Sequence, residues 1–209
     1  MPDAAVRNLV DRMHERGGFV TLRDVGDVQK PYEINIALFS ALGEDVEALI
    51  GAHTLLLSLQ GVPAIYIQSL LARGNDLDRV EQTGRTRSIN RSQFRYQELT
   101  AQLQEENSAS RRMIEALQHV SAVRRTEKAL HETATQEVLP APPSAVALWR
   151  GDADRVLVVA SVRDGPIEVD LGAVGVAPGL YRELLGDDSI EVASTITLRP
   201  WQVVWLKAE

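Results

Sequence analysis

Apolar residues fall at helical spacing from the start of the chain, where Val6, Leu9, Val10 and Met13 recur every three or four positions. Pro2 suits a first turn and Gly17-Gly18 stops the run, so a short amphipathic helix is predicted there. Residues 19–22 read as extended. Residues 23–30, with Asp24, Gly26 and Asp27, read as a polar loop leading into Pro31-Tyr32-Glu33-Ile34-Asn35-Ile36. Between 44 and 60 the positions Val46, Leu49, Ile50, Leu55, Leu56, Leu57 and Leu59 cover most of a helix circumference, the pattern of a helix buried on several sides. The run Gly61-Val62-Pro63-Ala64-Ile65-Tyr66-Ile67 then reads as a buried strand of a parallel sheet, being short, apolar and bounded by Gly and Pro. A polar stretch over 73–92 reads as a long loop, and two helices are predicted at about 93–106 and 110–128, with Asn107 or Ser108 as caps of the second.

After Pro140, Pro142 and Pro143 the period changes. Apolar or alternating runs at 146–149, 156–162, 167–171, 180–185, 190–192, 196–198 and 203–206 are separated by turn chemistry such as Asp164-Gly165 and Gly186-Asp187-Asp188. They predict an antiparallel β domain, a sandwich or barrel. The fold class expected is therefore α/β plus all-β.

Charge and composition narrow the function. With 22 Lys plus Arg against 29 Asp plus Glu, the net charge of −7 argues against nucleic acid as ligand, and the basic pairs Arg111-Arg112 and Arg124-Arg125 read as one helix face without aromatic interleaving. The absence of cysteine removes disulfides, thiolate metal sites and cysteine nucleophiles together. The apolar stretch 49–60 falls short of the roughly 20 residues that cross a bilayer, so no membrane partner is expected. The N-terminus lacks the apolar core of an export signal, and cytoplasmic residence is the expectation. His14, His53, His119 and His131 share no ligand spacing, so no metal site and no cofactor are expected.

Three segments carry a resemblance. Gly61-Val62-Pro63-Ala64-Ile65-Tyr66-Ile67 is similar to the G-x-P-x-x-Y strand of the α-amylase superfamily, the eighth of its (β/α)8 barrel. With Pro31-Tyr32-Glu33-Ile34-Asn35 before it, and Thr83-Gly84-Arg85-Thr86-Arg87-Ser88-Ile89-Asn90-Arg91 after Asn75-Asp76, the order resembles the sucrose phosphorylase branch, which includes the sucrose-6-phosphate, glucosylglycerol and glucosylglycerate phosphorylases. The resemblance implies a C-terminal fragment of a (β/α)8 barrel over residues 1–130, from the excursion after strand seven through the last helix. It places an antiparallel β-sandwich at 131–209.

The same resemblance puts the nucleophilic Asp, the acid/base Glu and the stabilising Asp of such an enzyme upstream of residue 1. A retaining enzyme of this kind needs two carboxyl groups about 5 Å apart. The pairs Asp24/Asp27, Asp76/Asp78, Glu105/Glu106 and Asp187/Asp188 all lie in polar turns or on helix surfaces, so no catalytic residue is assigned and the chain alone is expected to be inactive.

Five residues are candidates for substrate binding. Arg91 is implied to contact the glucosyl ring, its guanidinium suiting a hydroxyl and carboxylate network; a structural salt bridge is the alternative. Tyr32 and Glu33 are implied to line the acceptor and phosphate side, although a carboxylate repels phosphate unless cations neutralise it. Asn75 and Asp76 stand where barrel enzymes place binding residues, and they equally spell an ordinary turn. Arg87 reads as an ion-pair residue supporting the same loop. Trp201 and Trp205, four apart, are expected on one strand face in the sandwich core. The partners implied are an α-glucoside and phosphate in an intact parent enzyme, with a separately encoded N-terminal fragment or a second copy of the chain as candidate protein partners. A non-catalytic carbohydrate-binding or interaction module derived from such an enzyme is the alternative.

Overall fold

A computed structural model describes residues 3–186 and 188–209. It is a mixed helix and sheet protein in which every sheet is antiparallel. The chain divides into two compact units, one made of the residues up to Leu49 with Ile65–Ile114, the other of Ile50–Ala64 with Glu115–Glu209.

In the first unit, α1 (Asp3–Glu15) ends where Gly17 turns at positive φ, as the sequence pattern indicates; the expected role of Pro2 lies outside the described residues. The reading of 23–30 as a loop is corrected. β1 (Phe19–Val25) and β2 (Val28–Asn35) form a hairpin closed by Gly26-Asp27, with a register irregularity between Thr21 and Leu22. Two-residue loops that tolerate positive φ suit the twist of hairpin strands, and Gly26 supplies φ 63°. Along the chain follow α2 (Leu38–Ala41), α3 (Val46–Ser58), α4 (Ile67–Leu70), α5 (Leu77–Thr83), a 3-10 segment (Thr86–Asn90), α6 (Tyr96–Gln104) and α7 (Ala109–Thr126); α3 and α7 begin in the first unit and continue into residues of the second. The Ser108 hydroxyl accepts from Arg111 N–H and so caps α7.

Two further readings change here. The polar stretch 73–92 folds as α5 and the 3-10 segment, because Asp76 Oδ1 accepts from Arg79 N–H at 2.8 Å as a helix cap and Gly84, in the left-handed conformation, stops α5. The predicted buried strand at 61–67 is not one. Residues 62–66 pair with no strand, Val62 is 84% exposed, and the run continues into α4. A central strand needs a neighbour on each edge to take its backbone N–H and C=O groups, and no described strand supplies either.

The second unit follows the β pattern closely. After a 3-10 turn at Lys128–Leu130 come β3 (Gln136–Leu139), β4 (Ala145–Arg150), β5 (Val156–Ser161), β6 (Ile167–Asp170), β7 (Gly179–Glu183), β8 (Asp188–Val192), β9 (Thr195–Leu198) and β10 (Val203–Ala208). Six strands run in the order β3-β4-β5-β10-β7-β8, and β6 pairs with β9. Leu157, Val159, Val169, Leu171, Tyr181, Leu198 and Leu206 share one buried cluster drawn from both sheets, the packing of a two-layer β structure. Trp205 is fully buried and its indole N–H donates to Ser58 Oγ at 2.7 Å, whereas Trp201 precedes β10 at φ 58°, so the expected common strand face is corrected.

Two buried arginines grip the end of α3. Arg150 donates to the carbonyls of Ser58 at 2.5 Å, His131 at 2.7 Å, Thr135 at 3.2 Å and Ala134 at 3.3 Å. Arg124 donates to the carbonyls of Leu57 and Gly61. The last carbonyls of a helix have no intrahelical donor, and cations there also meet the favourable end of the helix dipole. Desolvation lowers the pKa of both groups, with Arg124 lowering that of Arg150 further and Glu132 partly offsetting the effect at Arg124. Arg124 therefore does not form the exposed basic face read from the sequence.

Candidate functional site

The first unit holds an open basin of about 1010 Å³ at the meeting of the β1-β2 hairpin with α5 and the 3-10 segment. Each wall has a local cause. The hairpin carries Tyr32 and Glu33 on β2, Gly84 lets the chain reverse after α5, and the following 3-10 turn brings Arg87 and Arg91 round to the same opening. Arg79 and Arg85 complete its charged lining, so among the described residues four arginines line it with Glu33 as their only acidic counterpart.

Glu33 is engaged. Arg87 donates to Glu33 Oε2 from Nε at 3.0 Å and from Nη2 at 2.7 Å, which raises the Arg87 pKa through that hydrogen bond and the carboxylate's charge. The ion-pair reading of Arg87 is thus the geometry found. The Arg23 guanidinium lies over the Tyr32 ring, 5.6 Å from its centroid, and Tyr32 remains 59% exposed. The guanidinium groups of Arg79, Arg85 and Arg91 make no hydrogen bond or ion pair to another described residue. Chemically, the basin offers several forked donors and one neutralised carboxylate, a set suited to hydroxyls and oxyanions.

Of the five candidates, Tyr32, Glu33 and Arg91 line this basin, while Asn75 and Asp76 line a separate depression of about 420 Å³ with Arg73, Asp78 and Ser92. The side chains of the second pair have structural partners. Asn75 Oδ1 accepts from Ala37 N–H at 2.9 Å and its Nδ2 donates to Arg16 O at 3.0 Å, while Asp76 caps α5. Sequence reading missed Arg79 and Arg85 as lining residues. The signal was present: Asp76 and Gly84 bracket a helix of two turns, which fixes the direction of the arginines beside it.

Other candidate chemistry is placed as follows. Asp24 accepts from Gln29 Nε2 across the hairpin at 3.2 Å, and Asp187 of the Asp187/Asp188 pair lies outside the described residues. His119 Nε2 donates to the Leu185 carbonyl at 2.6 Å. Among the described residues, no group of three His, Asp or Glu is arranged to hold a metal, and no helix is long and apolar enough to cross a membrane.

The backbone matches that of the sucrose 6F-phosphate phosphorylase of Thermoanaerobacter thermosaccharolyticum with a TM-score of 0.65 at 18% identity, over 92% of this chain and 35% of that one, a likeness of fold. By sequence the relation is finer. The chain is 30% identical over 215 residues to the glucosylglycerate phosphorylase of Escherichia coli K12, and 29% identical over 226 residues to that of Spirochaeta thermophila. Each alignment takes in 99% of this chain and 38% of the relative. The curated relatives that it matches are glycoside phosphorylases, and the chain spans well under half of the length of these two. No protein-family model matches it.

Proposed function

We propose that the chain is the C-terminal portion of a retaining α-glucosyl phosphorylase, which moves a glucosyl group between an α-glucoside and phosphate. In this reading residues 1–130 complete a (β/α)8 barrel, residues 131–209 are its terminal β-sandwich, and the protein works in the cytoplasm. Arg91 contacts the glucosyl ring, Tyr32 and Glu33 line the acceptor and phosphate side, and Asn75 and Asp76 hold the loop behind them. The nucleophile and the acid/base come from the rest of the enzyme, so the chain alone does not turn over substrate. The observation that carries the reading is the basin itself: Tyr32, Glu33 and Arg91, named from separate segments of sequence, line one opening rich in unengaged guanidinium groups.

The test is glucose 1-phosphate formation from glucosylglycerate or sucrose with phosphate, measured on the purified chain and on the same chain fused behind the complementary N-terminal part of the E. coli relative. Turnover by the fusion and none by the chain alone is expected. Turnover by the chain alone overturns the assignment of catalysis to the missing part. Glucoside affinity with no turnover in either form favours the second reading, a carbohydrate-binding module, which the lack of any carboxylate in the basin besides the paired Glu33 supports.

A further inference from the structure

A carboxylate at the mouth of a phosphate site is a liability, because its charge opposes the anion at short range. In this chain Glu33 occupies that position, yet both donors of one edge of Arg87 converge on a single oxygen, Oε2, from a different element of the unit. The pair is half in solvent, with the Arg87 side chain 59% and the Glu33 side chain 32% exposed, so its contribution to folding is small. Its effect on the basin is not small in kind. It offsets the only negative charge among the described lining residues and leaves the guanidinium groups of Arg79, Arg85 and Arg91 to receive oxygens.

We propose that Arg87 is a positioning residue for this site: by holding Glu33 and cancelling its charge it sets the affinity of the basin for phosphate, which Arg79 and Arg85 contact while Arg91 keeps the glucosyl ring. The choice of phosphate as ligand rests on the phosphorylase reading above; the role of Arg87 rests on the ion pair. A fixed Glu33 also presents its second oxygen, Oε1, as an acceptor for a hydroxyl of the sugar or acceptor while the anion sits on the arginines.

The experiment titrates the full 209-residue chain with inorganic phosphate in low-salt buffer, followed by calorimetry or by phosphorus resonance shifts. Arg87→Gln, which leaves Glu33 uncovered, is expected to weaken phosphate binding roughly four-fold. Glu33→Gln, which removes the charge that Arg87 cancels, is expected to leave the affinity within about two-fold, because the released Arg87 side chain, 59% exposed, is no longer held against the basin. The double variant matches Glu33→Gln, so the loss caused by Arg87→Gln vanishes once Glu33 is gone, and Arg87→Lys recovers part of that loss. A general charge effect is separated by Arg85→Gln, which removes a lining cation with no bond to Glu33. Its effect combines additively with Glu33→Gln, whereas the Arg87 and Glu33 changes are coupled. Raising the salt concentration shrinks all these effects.

Additive behaviour of the Arg87 and Glu33 variants, with unchanged circular dichroism and melting temperature, overturns the proposal. Absence of saturable phosphate binding by the unmodified chain overturns it as well. The phosphorylase reading then stands or falls on the fusion's turnover. If Arg87→Gln fails to fold, the Arg87→Lys and Glu33→Gln pair gives the same coupling measurement.

Discussion

Two antiparallel pairs in this molecule, β1-β2 and β4-β5, show how differently the same backbone geometry can be supported. Strand β5 has β4 on one edge and β10 on the other, and all six of its side chains are buried. In β1 one residue of seven is partly buried and the rest are exposed. A lone hairpin is at best marginal in water, since hydrogen bonds exchanged with solvent contribute little net free energy. Burial of side chains supplies the stability of β4-β5. The β1-β2 hairpin owes more to its turn, to the Asn35-to-Thr21 side-chain bond at 3.2 Å and to the Arg87–Glu33 pair. A rigid sheet and an adaptable hairpin therefore coexist, and the candidate site is built on the adaptable one.

The strongest way to break this contrast is at Trp205. All three tryptophans, Trp149, Trp201 and Trp205, belong to the second unit, so fluorescence follows its unfolding while far-ultraviolet circular dichroism follows both units. Trp205→Ala removes a fully buried ring and the hydrogen bond to Ser58, and is expected to cost about 4 kcal/mol in the transition seen by the fluorescence of Trp149 and Trp201. A loss below about 1 kcal/mol contradicts a packed core there.

Asn75→Ala sharpens the contrast from the other side. It leaves Ala37 N–H and Arg16 C=O without their side-chain partner, an expected loss of about 2 kcal/mol. That loss should appear in circular dichroism and leave the tryptophan transition in place. Unchanged stability together with weakened glucoside or phosphate binding would instead make Asn75 a ligand-contacting residue.

What the sequence revealed follows the same division. The seven β runs of the C-terminal region are legible because each strand's partner lies in the chain and burial imposes alternation on residues such as Ile167, Val169, Tyr181 and Leu198. The short edge strand β3 was invisible, since two of its four residues are exposed and carry no pattern. Only residues 19–22 of the hairpin read as extended, and 23–30 read as a loop for the same reason: exposed strands lack an apolar face, and the informative signal is the turn pair Gly26-Asp27 rather than periodicity. In the candidate site, Tyr32, Glu33 and Arg91 were legible through family resemblance and Arg87 through charge. The partners of Asn75 were not, because bonds from its amide to Arg16 and Ala37 join positions far apart in sequence and leave no local trace.

The run from Gly61 to Ile67 is where pattern and structure part, and it gives the smallest effect and the sharpest argument. Its apolar, β-branched composition fits a buried strand, but composition describes an environment that neighbours must provide. With no strand beside it, Val62 faces solvent. Val62→Ser in this chain is therefore expected to change unfolding free energy by less than about 0.5 kcal/mol, the range of exposed surface positions. If the proposed barrel forms in the fused protein, the same substitution there is expected to cost at least about 1.5 kcal/mol, because a residue held between two strands loses its buried apolar area and leaves a hydroxyl to satisfy. Equal, small effects in both forms would show that the run is not a strand in the larger protein either. A large effect in the chain alone would mean that Val62 has a packing partner here. The difference between the two measurements reads out whether the neighbours of this segment lie outside the 209 residues of this chain.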